Sequence, residues 1–297
     1  MKFKTQGNYL VKNLTILIFI IFNTFRHSGT QALRHLLFVK LKGLRMLNPR
    51  NNELLDQLTD AESQLIFKHL SLVSLTEGQQ IYGPGDLVDL IYFPVTALMA
   101  IAKDMREGFK IDMALVGKEG AVGFRGMTSS CPYRVYVLAS GLAYQIGLKQ
   151  LEIIQHYQIS MRNPLQIQDA SSWLTKMYVC ATQQIFDSMT LETSCAQFHK
   201  VNERLARWLL TRYDITGERE ILVTHQSIAD SMGVQREGVT RALQKLPGLK
   251  LHHRKIEISD VAQLEVECCD CYRTLDELRT DQLRLPLQPH FSRAVRN

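Results

Sequence analysis

The stretch VTHQSIADSMGVQREGVTRALQKL, Val223–Leu246, decides how the chain is read. Thr224 is placed to N-cap a helix whose apolar positions are Ile228, Ala229 and Met232. Gly233 then supplies a left-handed residue for a tight turn, and Val234 fills the angle before a second helix. In that second helix Val239, Ala242, Leu243 and Leu246 share one face, and Arg236, Glu237, Thr240, Arg241 and Gln244 share the other. Gln235 stands at its N-cap, where Ser would cap better.

Two helices joined in this way form a helix-turn-helix, whose second helix presents its first residues to base edges in a major groove. Arg can bond guanine O6 and N7 together, and Glu can accept from cytosine N4. Gln235, Arg236, Glu237, Thr240, Arg241 and Gln244 are therefore the candidate base-reading set. From Thr224 to Lys255 the chain has six basic and two acidic residues, a net of +4. Leu249–Ile258 reads as two short strands around a basic tip, the wing of a winged helix, with Lys255 as its phosphate contact. A plain solvated helix pair shows the same amphipathicity; the turn Gly, the Arg-Glu start and the basic wing favour the DNA reading.

Of the 297 residues 45% are hydrophobic and 22% charged, which excludes a disordered chain. No window reaches the roughly 20 uninterrupted apolar residues of a spanning helix, which excludes a multi-pass membrane protein. Six cysteines without regular spacing argue for reduced thiols and a cytoplasmic location. The net charge of +6 is concentrated at one end: eight Lys and Arg precede Met46 with no acidic residue among them, and the remainder carries −2. Leu14–Phe22 follows Lys2, Lys4 and Lys12 like the start of a signal peptide, yet no small-residue cleavage site follows. Amphipathic patterning begins at Met46, so residues 1–46 are expected to be a basic, apolar extension, or sequence upstream of the true start. A membrane-surface helix and an export signal are the alternatives.

Residues 47–163 read as a small β-roll. Ile81-Tyr82, Leu90–Phe93, Leu98–Ala102, Tyr133–Ala139 and Leu142–Ile146 are short strands punctuated by Gly and Pro. Phe109, Ile111, Met113 and Leu115 alternate with Lys110 and Asp112, which places the apolar set on the inner face. No histidine lies between His69 and His156, so a cupin-type metal enzyme lacks its ligands, and neither a nucleophile elbow nor a Walker loop is present. The protein is not expected to be an enzyme. Gly117, Gly120 and Gly123 lie in a loop that either offers backbone N–H groups to an anion or makes tight turns between strands.

Pro164 opens a stretch free of Gly and Pro that fits one long helix or two consecutive ones. Leu174, Tyr178, Ala181, Ile185 and Met189 recur at near-heptad spacing, which makes 164–198 a dimerisation helix unless the stripe packs on the β domain instead. The winged helix follows over 199–275, and 276–297 form a tail. Cys268-x-x-Cys271 and Cys195-x-x-x-His199 each resemble half of a metal site; neither is complete, and no metal is expected.

The order of roll, long helix and QSIADSMGVQREGVTR resembles the Crp/Fnr superfamily of bacterial transcription regulators over roughly Leu54 to Tyr272. The resemblance implies an α+β chain: a cyclic-nucleotide-binding-like β-roll, a long dimerisation helix and a C-terminal winged helix-turn-helix. It implies a homodimer on palindromic double-stranded DNA, RNA polymerase as a partner, and a small-molecule effector. Arg236, Glu237 and Arg241 fall on the family's base-reading pattern. In its phosphate cassette Gly123 keeps the Gly, Phe124 replaces the ribose-holding Glu, Arg134 keeps the Arg and Val135 replaces a hydroxyl residue. This argues against cyclic AMP and leaves Gly117, Gly120, Gly123, Phe124, Arg134 and Val135 as candidates for an unidentified effector's pocket. No Cys precedes Cys131, so the N-terminal iron–sulfur cluster of the oxygen-sensing branch is not expected either. A ligand-binding or membrane-tethered interaction module whose helix-turn-helix does not function is the competing reading.

Overall fold

The computed structural model describes residues 48–105, 110–124, 130–160 and 173–274. Backbone contacts divide the chain after Asn48, and everything below concerns the unit that begins at Pro49. The expected N-terminal extension, the tail from 276 and Phe109 lie outside the described residues.

Two short helices lead in, α1 (Glu53–Asp56) and α2 (Asp60–Ile66). Thr59 and Glu62 close a capping box at the start of α2. Asn52 is fully buried yet satisfied, because its amide donates to the Pro94 and Gly120 carbonyls, both at 2.9 Å, and accepts from the Leu55 N–H at 3.1 Å. That side chain fixes α1 to the roll.

The roll consists of β1 (Ser71–Leu75), β2 (Gln80–Tyr82), β3 (Leu90–Pro94), β4 (Leu98–Asp104), β5 (Lys110–Val116), β6 (Arg134–Ala139) and β7 (Gly141–Gly147). One antiparallel sheet has the order β1-β7-β3 and the other β2-β6-β4-β5. Leu75, Tyr82, Met99, Ile101, Val116, Val135, Val137 and Ala143 fill the space between them. A second cluster, Leu54, Ile91, Phe93, Ile146, Leu151, Trp173 and Met177, lies under α1, α3 (Leu148–Ser160) and α4 (Trp173–Phe198).

β4 and β6 do not alternate apolar with polar residues. Met99, Ile101, Val135 and Val137 enter the roll, whereas Leu98, Ala100, Ala102, Tyr136 and Leu138 enter a third core shared with the helical half. A sheet covered on both faces reads as a continuous apolar run. The same covering corrects the expectation for β5, where Ala114 and Val116 point into the roll and Leu115 packs on the shared core. A register irregularity opposite Ile101 and Ala102 shifts the pattern, and Asp112 is drawn into the contact with the helical half.

After α4 the chain turns at His199-Lys200 into α5 (Val201–Thr216), so the Gly-free stretch holds two consecutive helices. Lys200 is extended and Glu203 accepts from its N–H at 3.0 Å, which starts α5 afresh. The proposed seam on α4 is divided. Ala181 is buried in the cluster below the helix, and Leu174, Ile185 and Met189 pack on the roll's cores. Tyr178 alone of the five is exposed, next to Val179 and Phe186, which the heptad reading omitted.

The helical half then runs β8 (Glu220–Leu222), α6 (His225–Met232), α7 (Arg236–Lys245), β9 (Leu249–His252), β10 (Lys255–Ile258) and α8 (Val261–Val266), with a sheet ordered β8-β10-β9. Arg212 on α5 crosses to the roll: it donates to the Leu138 carbonyl at 2.7 Å and pairs with Glu77 at 3.0 Å. Its side chain is 6% exposed, so removing it leaves a buried carbonyl without a partner. Arg212→Ala is expected to destabilise the chain by about 1–3 kcal/mol, read from the urea midpoint at an unchanged m-value.

Candidate nucleic-acid interface

The helix-turn-helix forms where the residues require it. The Thr224 hydroxyl accepts from the Ser227 N–H at 3.0 Å, and Gly233, at φ 64°, ends α6 with its N–H on the Ala229 and Asp230 carbonyls. Arg204 on α5 donates to the Met232 carbonyl at 2.8 Å, and Trp208 Nε1 donates to the Ser231 hydroxyl at 3.1 Å. Val239, Ala242, Leu243 and Leu246 are buried as expected, which holds α7 with its other face to solvent. Gln235 makes no side-chain cap.

Of the candidate reading set, Gln235, Arg236, Glu237, Arg241 and Gln244 are exposed together. Arg241 makes one long bond, Nε to the Glu237 carbonyl at 3.3 Å. Thr240 is different. Its hydroxyl donates to the Arg236 carbonyl at 3.1 Å and meets His225 Nδ1 at 2.9 Å, so it braces α7 against α6. His225 was not foreseen, because a residue at the start of one helix has no sequence signal for a partner fifteen positions later.

The wing is present, but its tip is His253 and Arg254, with Arg254 left-handed at φ 57°. The Arg254 carbonyl accepts from the Val223 N–H at 3.1 Å, which ties the tip to the start of α6. Lys255, the expected phosphate contact, begins β10 and pairs with Glu220 at 2.9 Å. Lys250 pairs with Glu257 at 3.0 Å, and this holds the Glu257 carboxyl below its usual range. Thr224, Arg236, His253 and Arg254 border a solvent-open cleft of ≈500 Å³ between wing and helix.

The effector candidates are not brought together. Gly123, Phe124 and Val135 line one cavity in the roll with Tyr82, Ile101 and Val122, and its volume is ≈20 Å³, room for about one water. Arg134 precedes Val135 on its strand and so faces the other way, where Asp104 holds it through two bonds of 3.1 and 2.8 Å and Gln80 makes a further contact. The bond to Arg134 lowers the Asp104 carboxyl below its usual range.

Gly117 and Gly120 lie at the end of β5. Glu119 turns its own carboxylate back onto the Gly117 N–H at 2.9 Å, and the Gly120 N–H bonds the Gly117 carbonyl at 3.2 Å, so this loop makes turns. Gly123, at φ 101°, allows close approach to β3, since a Cβ there would stand 2.2 Å from the Leu90 carbonyl oxygen.

Between the halves, Asp112 accepts from the Tyr136 hydroxyl at 2.8 Å and from Ser231 on α6. Burial raises the Asp112 carboxyl above its usual range. Elsewhere, Cys195 and His199 meet Cys269 and Cys271, so two half-motifs 70 residues apart in sequence adjoin in space, while Cys268 stands outside the group.

Residues 203–266 match the model of the Crp-like helix-turn-helix domain. The chain carries a Crp-like domain. Its fold is that of Crp/Fnr regulators, a cyclic-nucleotide-binding-type roll followed by that domain. A Crp/Fnr-family protein from Eubacterium rectale superposes with a TM-score of 0.55 at 18% identity, over 73% of this chain and 98% of that one. FixK2 from Bradyrhizobium japonicum gives 0.51 at 16%, over 67% and 98%. The c-di-GMP-responsive global regulator CLP of Xanthomonas campestris gives 0.50 at 16%, over 68% and 100%. No curated protein matches the sequence. Among the described residues no helix is long and apolar enough to cross a membrane.

Cyclic AMP at millimolar concentration is expected to leave the melting temperature unchanged, in the wild type and in Arg134→Ala alike. A micromolar dissociation constant that Arg134→Ala abolishes would show that the open cleft of ≈420 Å³ around Arg134 takes up the nucleotide.

Proposed function

We propose that the chain is a cytoplasmic Crp/Fnr-type transcription regulator, a homodimer that reads a palindromic site in double-stranded DNA and recruits or blocks RNA polymerase there. Its parts are the roll over 47–163, the long helix over 164–198 and the winged helix over 199–275. The observation that carries this reading is the outer face of α7, where Arg236 and Glu237 at the helix start and Arg241 and Gln244 further along it are exposed, Arg236 beside the wing, while the inner face is buried. The Arg236 guanidinium has no hydrogen bond or ion pair among the described residues, which leaves it available to a guanine edge. Arg254 at the wing tip joins Lys255 as a phosphate contact, because the pair of Lys255 with Glu220 at 2.9 Å faces solvent and is weak. Control comes from an unidentified signal in the roll, and the ≈20 Å³ cavity beside Phe124 and Val135 argues against cyclic AMP at that place.

Arg236→Ala and Arg241→Ala are each expected to relax specificity at a separate base pair of every half-site by about 1–3 kcal/mol. Arg254→Ala is expected to weaken all sequences alike and to reduce the salt slope by about one. Selection from a randomised duplex library followed by salt titration measures both. Uniform losses in all three variants would sink the assignment of the reading face, and sequence-independent binding by the wild type would favour an interaction module.

Half-sites about 34 Å apart require two tethered reading helices. Tyr178, Val179 and Phe186, exposed on α4, supply the apolar face for that pairing. Val179→Asp combined with Phe186→Asp is expected to give monomers in analytical ultracentrifugation that lose operator binding. An unchanged dimer would place the interface elsewhere.

A further inference from the structure

Cys195 near the end of α4, His199 in the turn that follows, and Cys269 and Cys271 beyond α8 present four ligand atoms that all lie within 4.8 Å of one another. We propose that these residues bind one zinc ion in a closed Cys₃His site that pins the end of the long helix to the C-terminal edge of the winged domain.

The spacing supports a single four-coordinate ion. Zinc bonds of about 2.3 Å to sulfur and 2.0 Å to nitrogen put tetrahedral ligands roughly 3.5–3.8 Å apart. The sulfurs of Cys195 and Cys269 are 3.6 Å apart, and Cys271 Sγ is 3.5 Å from His199 Nδ1. A disulfide between Cys195 and Cys269 would account for one of these contacts and leave Cys271 and His199 unexplained; all three cysteines are free.

Three thiolates and an imidazole are the donor set of structural zinc, and four protein ligands leave no open position for catalysis. Cys195, Cys269 and Cys271 are buried, with Leu191 packed against them, which shields the site from competing water.

The electrostatics agree. Three thiolates around a dication carry a net charge of −1, and Arg207 lies within electrostatic reach of Cys195 and Cys269. Its terminal nitrogens pair with Glu192 at 2.8 and 2.5 Å, while its buried Nε has no hydrogen-bond partner.

The site would close a loop of more than seventy residues, from Cys195 to Cys271, that contains the entire helix-turn-helix and wing. Because such a site does not exist in the unfolded chain, its metal affinity contributes to folding.

The test uses the full-length chain, purified under reducing conditions from cells supplied with zinc. Elemental analysis is expected to find about one zinc per chain, and the stripped wild type titrated with Co²⁺ to give the intense visible bands of a tetrahedral, sulfur-rich site saturating at about one equivalent. Cys269→Ser and Cys271→Ser are expected to lose the zinc and the cobalt bands, and Cys268→Ser to keep both. Should a serine variant not fold, the cobalt titration of the wild type decides alone. The proposal is overturned by a zinc-free wild type without tetrahedral cobalt bands, by a Cys195–Cys269 disulfide in that preparation, or by folded Cys269→Ser that retains its zinc.

Discussion

The sheet formed by β4 and β6 is apolar on both faces, and an apolar face left in water costs roughly 25 cal/mol for each Å². One face fills the roll; the other is covered by α5 and the helix-turn-helix, so Leu98, Ala100 and Leu138 belong to the same core as Leu205, Leu209, Ile228 and Val239. The two halves are thereby one packed body. Arg212 and Asp112 follow from this arrangement, because polar groups enclosed by such a contact must find partners inside it.

The Crp-like domain depends on the shared core for its orientation. Trp208 bonds Ser231, Ser231 bonds Asp112, and Asp112 bonds Tyr136, which forms a polar chain from α5 through the first helix of the motif into the sheet. With α6 held at that end and braced by His225 to Thr240 at the other, α7 has little freedom to turn. The outer face of α7, proposed to read bases, is therefore oriented by contacts made within the protein.

Local features were legible in the sequence. The caps at Thr224 and Gly233, the inward set of α7 and the positions of β2, β3, β4, β6 and β7 follow from nearest-neighbour chemistry and periodicity, which act over a few residues. What was not legible depends on distant partners. Glu220, which pairs with Lys255, lies across a strand pair. Asp104, which holds Arg134, lies thirty residues away, and strand alternation sets Arg134 on the opposite face from Val135's cavity. The odd positions of β5 and the stripe on α4 were correctly seen as apolar, but periodicity does not say which neighbour covers an apolar face. Cys195 and Cys269 are neighbours only through the path of the intervening domain, 74 residues along the chain.

The roll's small cavity has a mechanical consequence. Phe124, where the resemblance expects a ribose acceptor, meets Phe93 edge to face at 6.0 Å and Tyr178 at 6.3 Å. A molecule entering there would have to evict a ring rather than fill a void, and it would forfeit two contacts of about 0.5–1.5 kcal/mol each. Because the second neighbour of that ring stands on the outer face of α4, such an eviction would be felt directly on the surface of the long helix.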